Sequence, residues 1–282
     1  MLPPFGQFLR EDLARRPSIP FIGVYDVFSA SLAAKHFDAL FVSGFSFAAS
    51  YYGLPDIGFI AWPDIVAFTQ RIRTVLPRGH ILVDIDDGYC DVAVAAHATA
   101  MLEAVGASGV ILEDQLRPKK CGHLDGKQIM DLDGYLEKLN RVLESRNKLF
   151  VVARTDASNL EEMVLRARAF DKTDADAILI DGLRDLEHVR LLRREIRKPL
   201  GFNQIVGGKS RPFTWSELRD AGATLMICST PCLFSAQAAI EREMKTLLEC
   251  DGRVEAATFL RVPLAECCSH LDTNLRIRHE KT

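Results

Sequence analysis

One short stretch of the chain concentrates residues that can do acid–base or nucleophilic chemistry. The sequence of residues 113–123, Glu-Asp-Gln-Leu-Arg-Pro-Lys-Lys-Cys-Gly-His, follows the apolar run 110–112. If that run is a barrel strand, these side chains emerge at its C-terminal end, where barrel enzymes keep their chemistry. The neighbouring lysines and His123 should lower the pKa of the Cys121 thiol, which would make it a usable proton donor or nucleophile. The alternative is a solvated loop that happens to contain a cysteine.

A group of carboxylates could bind a metal ion. One isoleucine separates Asp84 from Asp86, so in a strand both carboxylates point to the same side, and Glu113 on the adjacent strand could join them. Three hard oxygen donors without histidine suit Mg²⁺ or Mn²⁺ better than Zn²⁺. In the alternative interpretation these acids cap helices or pair with Arg154 and Lys119.

Two further stretches could hold an anion or a substrate. Ser43, Gly44 and Phe45 lie where a strand ends and a helix could begin, so their backbone N–H groups could cradle a carboxylate or an oxyanion. The stretch 206–210, Val-Gly-Gly-Lys-Ser, lacks the spacing of a P-loop. We interpret it as a flexible loop on the substrate side.

The apolar pattern predicts the elements that position these residues. Short runs rich in Val, Ile and Leu alternate with longer amphipathic stretches. The candidate strands are 21–25, 39–43, 81–86, 109–113, 150–154, 177–181, 201–205 and 225–229. Eight strands predict a closed (β/α)8 TIM-type barrel, since a doubly wound sheet has about five or six strands and a glycine-rich first turn.

Polar residues follow nearly every candidate strand. They are Asp26, Ser43, Asp84, Asp86, Glu113, Asp114, Arg154, Asp156, Asp181, Asn203, Gln204, Ser229 and Thr230. A purely structural explanation would have to pair or hydrate all of them, because unpaired buried charge is costly. The sequence therefore predicts a functional site at this rim of the barrel.

Helix signals complete the predicted barrel. Asp91 should cap a helix over 92–105, Asn159 should open the next helix over 163–170, and 235–248 should be the last barrel helix. We expect a single domain over 1–282, with the barrel at about 20–248 and a C-terminal helical tail at about 253–282. The apolar residues of this tail should pack against another apolar surface.

Composition excludes several classes of protein. With 282 residues, 48% of them hydrophobic, and a net charge of -3, the chain should form one soluble domain without a surface for nucleic acid. No apolar run is long enough to cross a bilayer, and the first residues lack the features of a signal peptide, so we expect no membrane partner and a cytoplasmic location. The seven cysteines, Cys90 included, do not form a disulfide pattern.

Several motifs together resemble the isocitrate lyase and phosphoenolpyruvate mutase superfamily along almost the whole chain. The matching stretches are Gly-Val-Tyr-Asp at 23–26, Val-Ser-Gly at 42–44, Gly-Leu-Pro-Asp at 53–56, Asp-Ile-Asp-Asp-Gly-Tyr at 84–89, Glu-Asp-Gln at 113–115, Lys-Lys-Cys-Gly-His at 119–123 and Ala-Arg-Thr-Asp at 153–156. The resemblance implies a (β/α)8 barrel that binds Mg²⁺ at its C-terminal rim and closes a loop over its substrate. It also implies a homotetramer, a dimer of dimers in which a C-terminal helix is exchanged between subunits.

Cys121 separates the branches of this superfamily. The carbon–carbon lyases, which cleave isocitrate, 2-methylisocitrate or 2,3-dimethylmalate, are similar to this chain at Lys-Lys-Cys-Gly-His, whereas the phosphonate-forming mutases have asparagine in place of the cysteine. The chain is also more similar in length to the compact lyases than to full-length isocitrate lyases. The resemblance implies a retro-aldol cleavage of a 2-hydroxy acid with a second carboxylate, which releases pyruvate or glyoxylate.

The resemblance also implies a role for each site residue. As metal ligands it implies Asp84 directly and Asp86, Glu113 and Asp56 mainly through water. As catalytic residues it implies Cys121 as the proton donor, Lys119 and Arg154 as positive charges, and His123 as the residue that sets the thiol's protonation and the closed loop. As substrate-binding residues it implies Tyr25, Ser43, Gly44, Phe45, Gly122, Asp181 and Asn203.

Two positions depart from the methylisocitrate lyases. Phe41 stands where those enzymes have a tyrosine proposed as the base, and Asp181 stands where they have a glutamate that helps to hold the substrate. The base and the substituents of the substrate are therefore unassigned. Hydrolysis of oxaloacetate, phosphonate chemistry and a catalytically silent binding barrel stay open as alternatives.

Overall fold

The computed structural model describes residues 2–89, 91–253 and 261–279. Its centre is a closed barrel of parallel strands in sequence order, in which β8 pairs with β1. The strands are β1 Ile19–Val24, β2 Ala39–Val42, β3 His80–Asp84, β4 Gly109–Glu113, β5 Phe150–Thr155, β6 Ala177–Ile180, β7 Leu200–Gln204 and β8 Ala223–Cys228. The predicted (β/α)8 fold is confirmed.

Helices surround the barrel and connect its strands. They are α1 Phe5–Arg15, α2 Val27–Ala33, α3 Gly44–Phe47, α4 Trp62–Val75, α5 Val92–Ala104, α6 Leu132–Ser145, α7 Leu160–Asp171, α8 Leu186–Glu195, α9 Trp215–Ala221, α10 Pro231–Glu249 and α11 Leu264–His279, with a π-helical turn at Ala48–Tyr52. Among the residues described, none forms a helix both long and apolar enough to span a membrane.

Successive residues of a strand pack into two different cores. Phe21 and Ile111 belong to a cluster inside the barrel, whereas their neighbours Ile22 and Val110 pack in the larger cluster between strands and helices. This alternation follows from the period of two along a strand. Leu9 of α1 is fully buried in the inner cluster, so α1 covers one end of the barrel.

Several predicted strands run too far at their C-terminal ends. β2 ends at Val42 and β3 at Asp84, because the next residues leave the sheet for turns and caps. The Ser43 hydroxyl accepts a hydrogen bond from the Ser46 N–H and so begins α3. The predicted caps at Asp91 and Asn159 are confirmed, since both side chains accept hydrogen bonds from the first turns of α5 and α7.

The two C-terminal helices differ in how they pack. Over its 19 residues, all of them in the described part of the chain, α10 buries no residue. In contrast, α11 lies beside α2, where His270 Nε2 is 2.8 Å from the Ser31 hydroxyl. The remainder of the predicted tail, 254–260 and 280–282, and Cys90 lie outside the described residues.

Candidate active site

A small cavity lies at the C-terminal ends of the strands. Nine of the predicted site residues line it: Ser43, Phe45, Asp56, Asp84, Cys121, Gly122, Arg154, Asp181 and Asn203. The other predicted residues lie around this group or away from it. Tyr25 does not line the cavity of the described residues, because β1 ends at Val24 and the chain turns at Asp26 to begin α2.

The carboxylates of Asp84 and Asp86 lie close together, but they do not alternate along one strand as predicted. The strand ends at Asp84, and Asp86 has a φ of 52°, a left-handed conformation in the turn that follows. A Cβ on Gly44 would lie 3.0 Å from Asp86 Oδ1 and 3.2 Å from Asp84 Oδ2. A larger residue at position 44 would therefore push the two carboxylates apart by a few tenths of an ångström.

Lys119 lies in the middle of the acid group. Its ammonium is 2.9 Å from Asp56 Oδ1, pairs with Asp86, and is 3.8 Å from Glu113 Oε1. Both Lys119 and Glu113 are buried. The alternative interpretation, in which these acids pair with cationic side chains, therefore holds in this structure, and Lys119 is the partner that they share.

Arg154 at the end of β5 connects the acid group to the other side of the cavity. Its guanidinium is 3.1 Å from Glu113, 2.9 Å from Asp156 and 2.8 Å from Asp181, and 3.8 Å from Asp84. Burial alone would raise the pKa of Asp181, but Arg154 and His123 hold it well below its usual range. Arg154 is thus fixed on several sides and faces the cavity.

Buried acids outnumber buried cations around the cavity. The acids are Asp56, Asp84, Asp86, Glu113, Asp156 and Asp181, and the cations are Lys119, Lys127 and Arg154. Burial raises the pKa of Asp86 to about 7 and the pKa of Glu113 well above its usual value. Asp86 Oδ2 and both oxygens of Glu113 are buried without a hydrogen-bond partner.

This donor set fits a divalent cation in its chemistry and charge. Carboxylate oxygens are the ligands that Mg²⁺ and Mn²⁺ prefer, and the excess of acids over cations and the unpartnered oxygens favour an added cation. Among the described residues, however, no three acid, histidine or cysteine side chains already surround one point at ligand distance. A metal would therefore be held in part through water or after Lys119 moves.

The loop between β4 and α6, called the cysteine loop here, carries Cys121 over the cavity. Gln115 holds it on one side, since its amide accepts from the Lys120 N–H at 2.9 Å and donates to the Lys120 carbonyl at 2.8 Å. Gly122 touches Asp181, because a Cβ there would lie 1.8 Å from Asp181 Oδ2. The enclosed space is about 20 Å³, room for about one water. The loop is therefore closed, and it must open to admit a substrate.

The expected lowering of the Cys121 pKa is wrong. Burial raises the pKa of the thiol to about 11, and nearby Asp181 and Asp56 raise it further. The lysines beside it in sequence do not compensate, because Lys119 pairs with the acid group and Lys120 points toward the Asp125 carbonyl. Cys121 is consequently a protonated thiol at neutral pH.

His123 joins this loop to the loop after β7. Its Nδ1 accepts a hydrogen bond from the Lys209 N–H at 3.1 Å, and its Nε2 is 3.5 Å from Asp181 Oδ1. The accepting Nδ1 assigns the proton to Nε2, which faces the Asp181 carboxylate. The loop at 206–210, which we interpret as lying on the substrate side, therefore contacts the cysteine loop.

Sequence reasoning missed the residues that hold the closed arrangement. Lys127 donates to the Gly122 carbonyl and to Asp156, and Ser229 donates to Asn203, whose amide in turn donates to Asp181. Lys127 lies beyond the quoted motif, and no spacing in the sequence points to its partner. The sequence places polar residues after β7 and β8, but only the closed barrel shows which of them pair.

Comparisons with known proteins identify the family of the chain. The sequence model of the family described as Phosphoenolpyruvate phosphomutase matches residues 9–248. The 2-methylisocitrate lyases of Aeropyrum pernix and Halalkalibacterium halodurans are 32% and 35% identical to the chain, over 86% and 89% of its length and 80% and 83% of theirs. A 2,3-dimethylmalate lyase structure superposes with a TM-score of 0.90 at 27% identity, covering 98% of this chain and 95% of that one.

A second type of enzyme is also similar. Oxaloacetate acetylhydrolase, in complex with the inhibitor 3,3-difluorooxalacetate, has a TM-score of 0.83 at 30% identity and covers 88% of this chain and 87% of its own. The chain belongs to the phosphoenolpyruvate phosphomutase family, within the isocitrate lyase and phosphoenolpyruvate mutase superfamily. With its named relatives it is a carbon–carbon lyase of this superfamily.

Proposed function

We propose that the protein is a Mg²⁺-dependent lyase that cleaves a substituted 2-hydroxy di- or tricarboxylic acid of the methylisocitrate or dimethylmalate type. The observation that carries the proposal is one cavity lined by Asp84, Arg154 and a protonated Cys121. An acid group, a fixed positive charge and a proton donor are three of the groups that a retro-aldol cleavage needs, and a base is the fourth. The products would be a 2-oxo acid, pyruvate or glyoxylate, and a second carboxylate.

Asp84, Asp86, Glu113 and Asp56 would hold the Mg²⁺, some of them through water, and Mn²⁺ could replace it. The bound cation would supply positive charge to the carboxylate and oxygen of the 2-oxo acid end. Ser43, at the start of α3, lines the same cavity as Asp84 and would hold that end of the substrate in place. Chelation of the metal should therefore abolish turnover.

The chemistry requires two proton movements. The substrate hydroxyl loses its proton, its oxygen forms the new carbonyl, and the electron pair of the breaking carbon–carbon bond passes to the leaving fragment as an enolate. Cys121 donates its Sγ proton to that carbon and is reprotonated from solvent. Arg154 stabilises the carboxylate of the leaving fragment. The group that takes the hydroxyl proton is unassigned, because Phe41 cannot take it.

The floor of the cavity favours substrates with apolar substituents. Phe41, Ile111, Leu179 and Ile227 line it and are buried. A methyl group placed against these side chains gains about 0.8 kcal/mol for each buried carbon, whereas a carboxylate at the same place would lack a partner. This supports a methyl-bearing acid as the substrate.

A panel assay tests the proposal. Purified protein with Mg²⁺ is given 2-methylisocitrate, 2,3-dimethylmalate, isocitrate, oxaloacetate and phosphonopyruvate, and release of pyruvate and glyoxylate is measured for the native protein and Cys121→Ser. We expect release from a methyl-bearing hydroxy acid that is lost in the variant and in EDTA. Turnover of only oxaloacetate or phosphonopyruvate would contradict the proposal.

Hydrolysis of oxaloacetate is the second candidate. The similarity to oxaloacetate acetylhydrolase over most of both chains supports it. The two activities differ in product, since a hydrolase would release oxalate and acetate without pyruvate or glyoxylate. Phosphonate chemistry is less favoured, because Cys121 occupies the position where the mutases have asparagine.

We further propose that the protein is a cytoplasmic homotetramer that acts on small carboxylic acids and uses neither nucleic acid nor membrane as a partner. The helix exchange implied for the C-terminus fits α10 better than the tail, because α10, described over its whole length, buries no residue whereas α11 packs beside α2. Exchange of α10 between subunits would give its apolar side chains a partner.

A further inference from the structure

Lys127 occupies an unusual position for a lysine. It lies at the far end of the cysteine loop, yet its side chain is only 4% exposed. Its ammonium donates to the Gly122 carbonyl at 2.5 Å and to Asp156 Oδ1 at 2.7 Å. Burying an ammonium is costly unless its donors are paired, so these two contacts account for its place.

Asp156 is held in place by hydrogen bonds from its backbone and from Arg154. Its N–H donates to Asp114 Oδ1 at 2.9 Å, which fixes it at the end of β5. Its carboxylate also accepts two hydrogen bonds from Arg154, at 2.9 and 3.2 Å. One carboxylate therefore orients the Arg154 guanidinium and receives the ammonium of the closed loop.

We propose that Lys127 is a positioning residue, a latch that fastens the carbonyl of Gly122, the residue after Cys121, to the carboxylate that orients Arg154. Gly122 is held between the Lys127 ammonium on its carbonyl and Asp181 at its Cα. When the loop opens, the ammonium leaves Asp156 and the Arg154 contacts remain. The closed loop is thereby fixed relative to Arg154, because Lys127 and Arg154 contact the same carboxylate.

The test measures access to Cys121, so it does not depend on turnover. The native protein and Lys127→Met are treated with iodoacetamide, and the labelling rate of Cys121, followed by peptide mapping, is divided by its rate in the same protein unfolded in urea. We expect the ratio to rise about tenfold in Lys127→Met, the effect of losing one charge-assisted hydrogen bond that holds the loop closed. Lys127→Arg should restore most of the protection.

Lys120→Met is the matched control. It removes the same charge from the same loop, but Lys120 makes only one side-chain hydrogen bond among the described residues, at 3.5 Å to the Asp125 carbonyl. An unchanged ratio in Lys127→Met, or an equal rise in Lys120→Met, would overturn the latch. So would unfolding of Lys127→Met, because that result would make Lys127 a structural residue of the barrel.

Only the catalytic consequence rests on the proposed function. If the protein is the proposed lyase, Lys127→Met should lower kcat about tenfold with KM nearly unchanged, since the substrate contacts stay while the proton donor is displaced. A rise in KM alone would contradict the positioning role. If labelling changes as expected while every panel substrate is inert, the latch stands and the proposed function fails.

Discussion

Glu113 illustrates a conflict between stability and chemistry at a single residue. It is fully buried at the end of β4, 3.1 Å from Arg154 at an angle that makes no hydrogen bond, and burial raises its pKa strongly. A second charge-bearing acid, Asp86, lies across the same Lys119. Such a group of acids is retained where it binds something, because its repulsion otherwise weakens the fold.

Glu113→Gln should therefore stabilise the metal-free protein and inactivate it. The amide cannot ionise and has the same shape, so it removes the cost of keeping an acid where burial disfavours its charged form. In EDTA at neutral pH we therefore expect the free energy of unfolding to rise by about 1–2 kcal/mol. Stabilisation by added Mg²⁺ should shrink at the same time. Urea unfolding with EDTA and with Mg²⁺ measures both effects. The exposed Glu187→Gln is the control, and a destabilised Glu113→Gln in EDTA would contradict the argument.

The thiol of Cys121 marks the limit of sequence reasoning at this scale. The sequence places lysines beside it, and proximity along the chain predicts a lowered pKa. In the fold, Lys119 turns to Asp56 and Asp86, and the thiol is left in a small closed cavity. Residue types and their order predicted which groups meet, but the direction of each side chain and its burial needed the closed loop.

The meeting of two loops is the feature that matters at the level of elements. The cysteine loop contacts the loop after β7 where His123 accepts from the Lys209 N–H and Lys209 pairs with Asp125 at 3.2 Å. A Cβ on Gly208 would lie 2.4 Å from His123 Nδ1, whereas one on Gly207 would meet nothing within 4 Å. These adjacent glycines allow a matched comparison.

Gly208→Ala should loosen the closed loop without unfolding the protein. The added methyl displaces His123 and breaks its hydrogen bond with Lys209, so we expect faster labelling of Cys121 and a lower kcat. Gly207→Ala should instead lower stability and leave the labelling of Cys121 unchanged. The φ of 74° at this position makes alanine strained, at a cost of about 1 kcal/mol, but the added methyl does not reach His123. Thiol labelling and thermal unfolding of both variants distinguish the effects, and equal labelling in the two would contradict the role of His123.

The contact between α1 and β3 should make stability depend on pH. His80 is buried and lies 2.9 Å from Asp12 of α1. Burial lowers its pKa, and Arg73 lowers it further, although Asp12 and Asp38 oppose this. The folded protein therefore prefers neutral His80, so this contribution to stability is complete above pH of about 6.5 and is lost as the pH falls below it.

His80→Gln should reduce this loss. Urea unfolding at neutral and at mildly acidic pH should give a smaller decrease in the free energy of unfolding for the variant than for the native protein, by at most about 1.4 kcal/mol per pH unit. Replacement of the exposed His36 by Gln should leave the native pH dependence in place. The same decrease in native and His80→Gln protein would show that another group titrates.

Strand and helix positions were the part of the fold that sequence predicted best. Apolar runs and caps such as Asp91 are local signals, and they gave all the strands and their order. The ends of β2 and β3 were placed too far because the residues that leave the sheet there are held by contacts across the barrel, including Gly44 against Asp84 and Asp86. Such contacts join residues far apart in sequence, so no local pattern reveals them.

At the scale of the whole molecule, α10 is incompletely packed. Ile240, Met244 and Leu248 recur every four residues, so they share one face, and they are 59%, 50% and 85% exposed. Leu271 and Leu275 of α11 are also exposed. Contiguous apolar surface of this kind marks an interface in a stable protein, which supports assembly of several copies through these helices.

Ile240→Glu combined with Met244→Glu should dissociate the assembly. Two carboxylates on the shared face of α10 would have to be buried without partners against a neighbouring subunit, and this costs more than the apolar contacts return. Sedimentation velocity should give a tetramer for the native protein and a smaller species for the variant. Leu165→Glu introduces one such carboxylate at a similarly exposed leucine of α7, 48% exposed, and should leave the native mass unchanged. Because α11 packs on α2 within one chain, the dissociated subunit should keep its barrel and a cooperative unfolding transition; a native protein that sediments as a monomer would remove the case for exchange of α10.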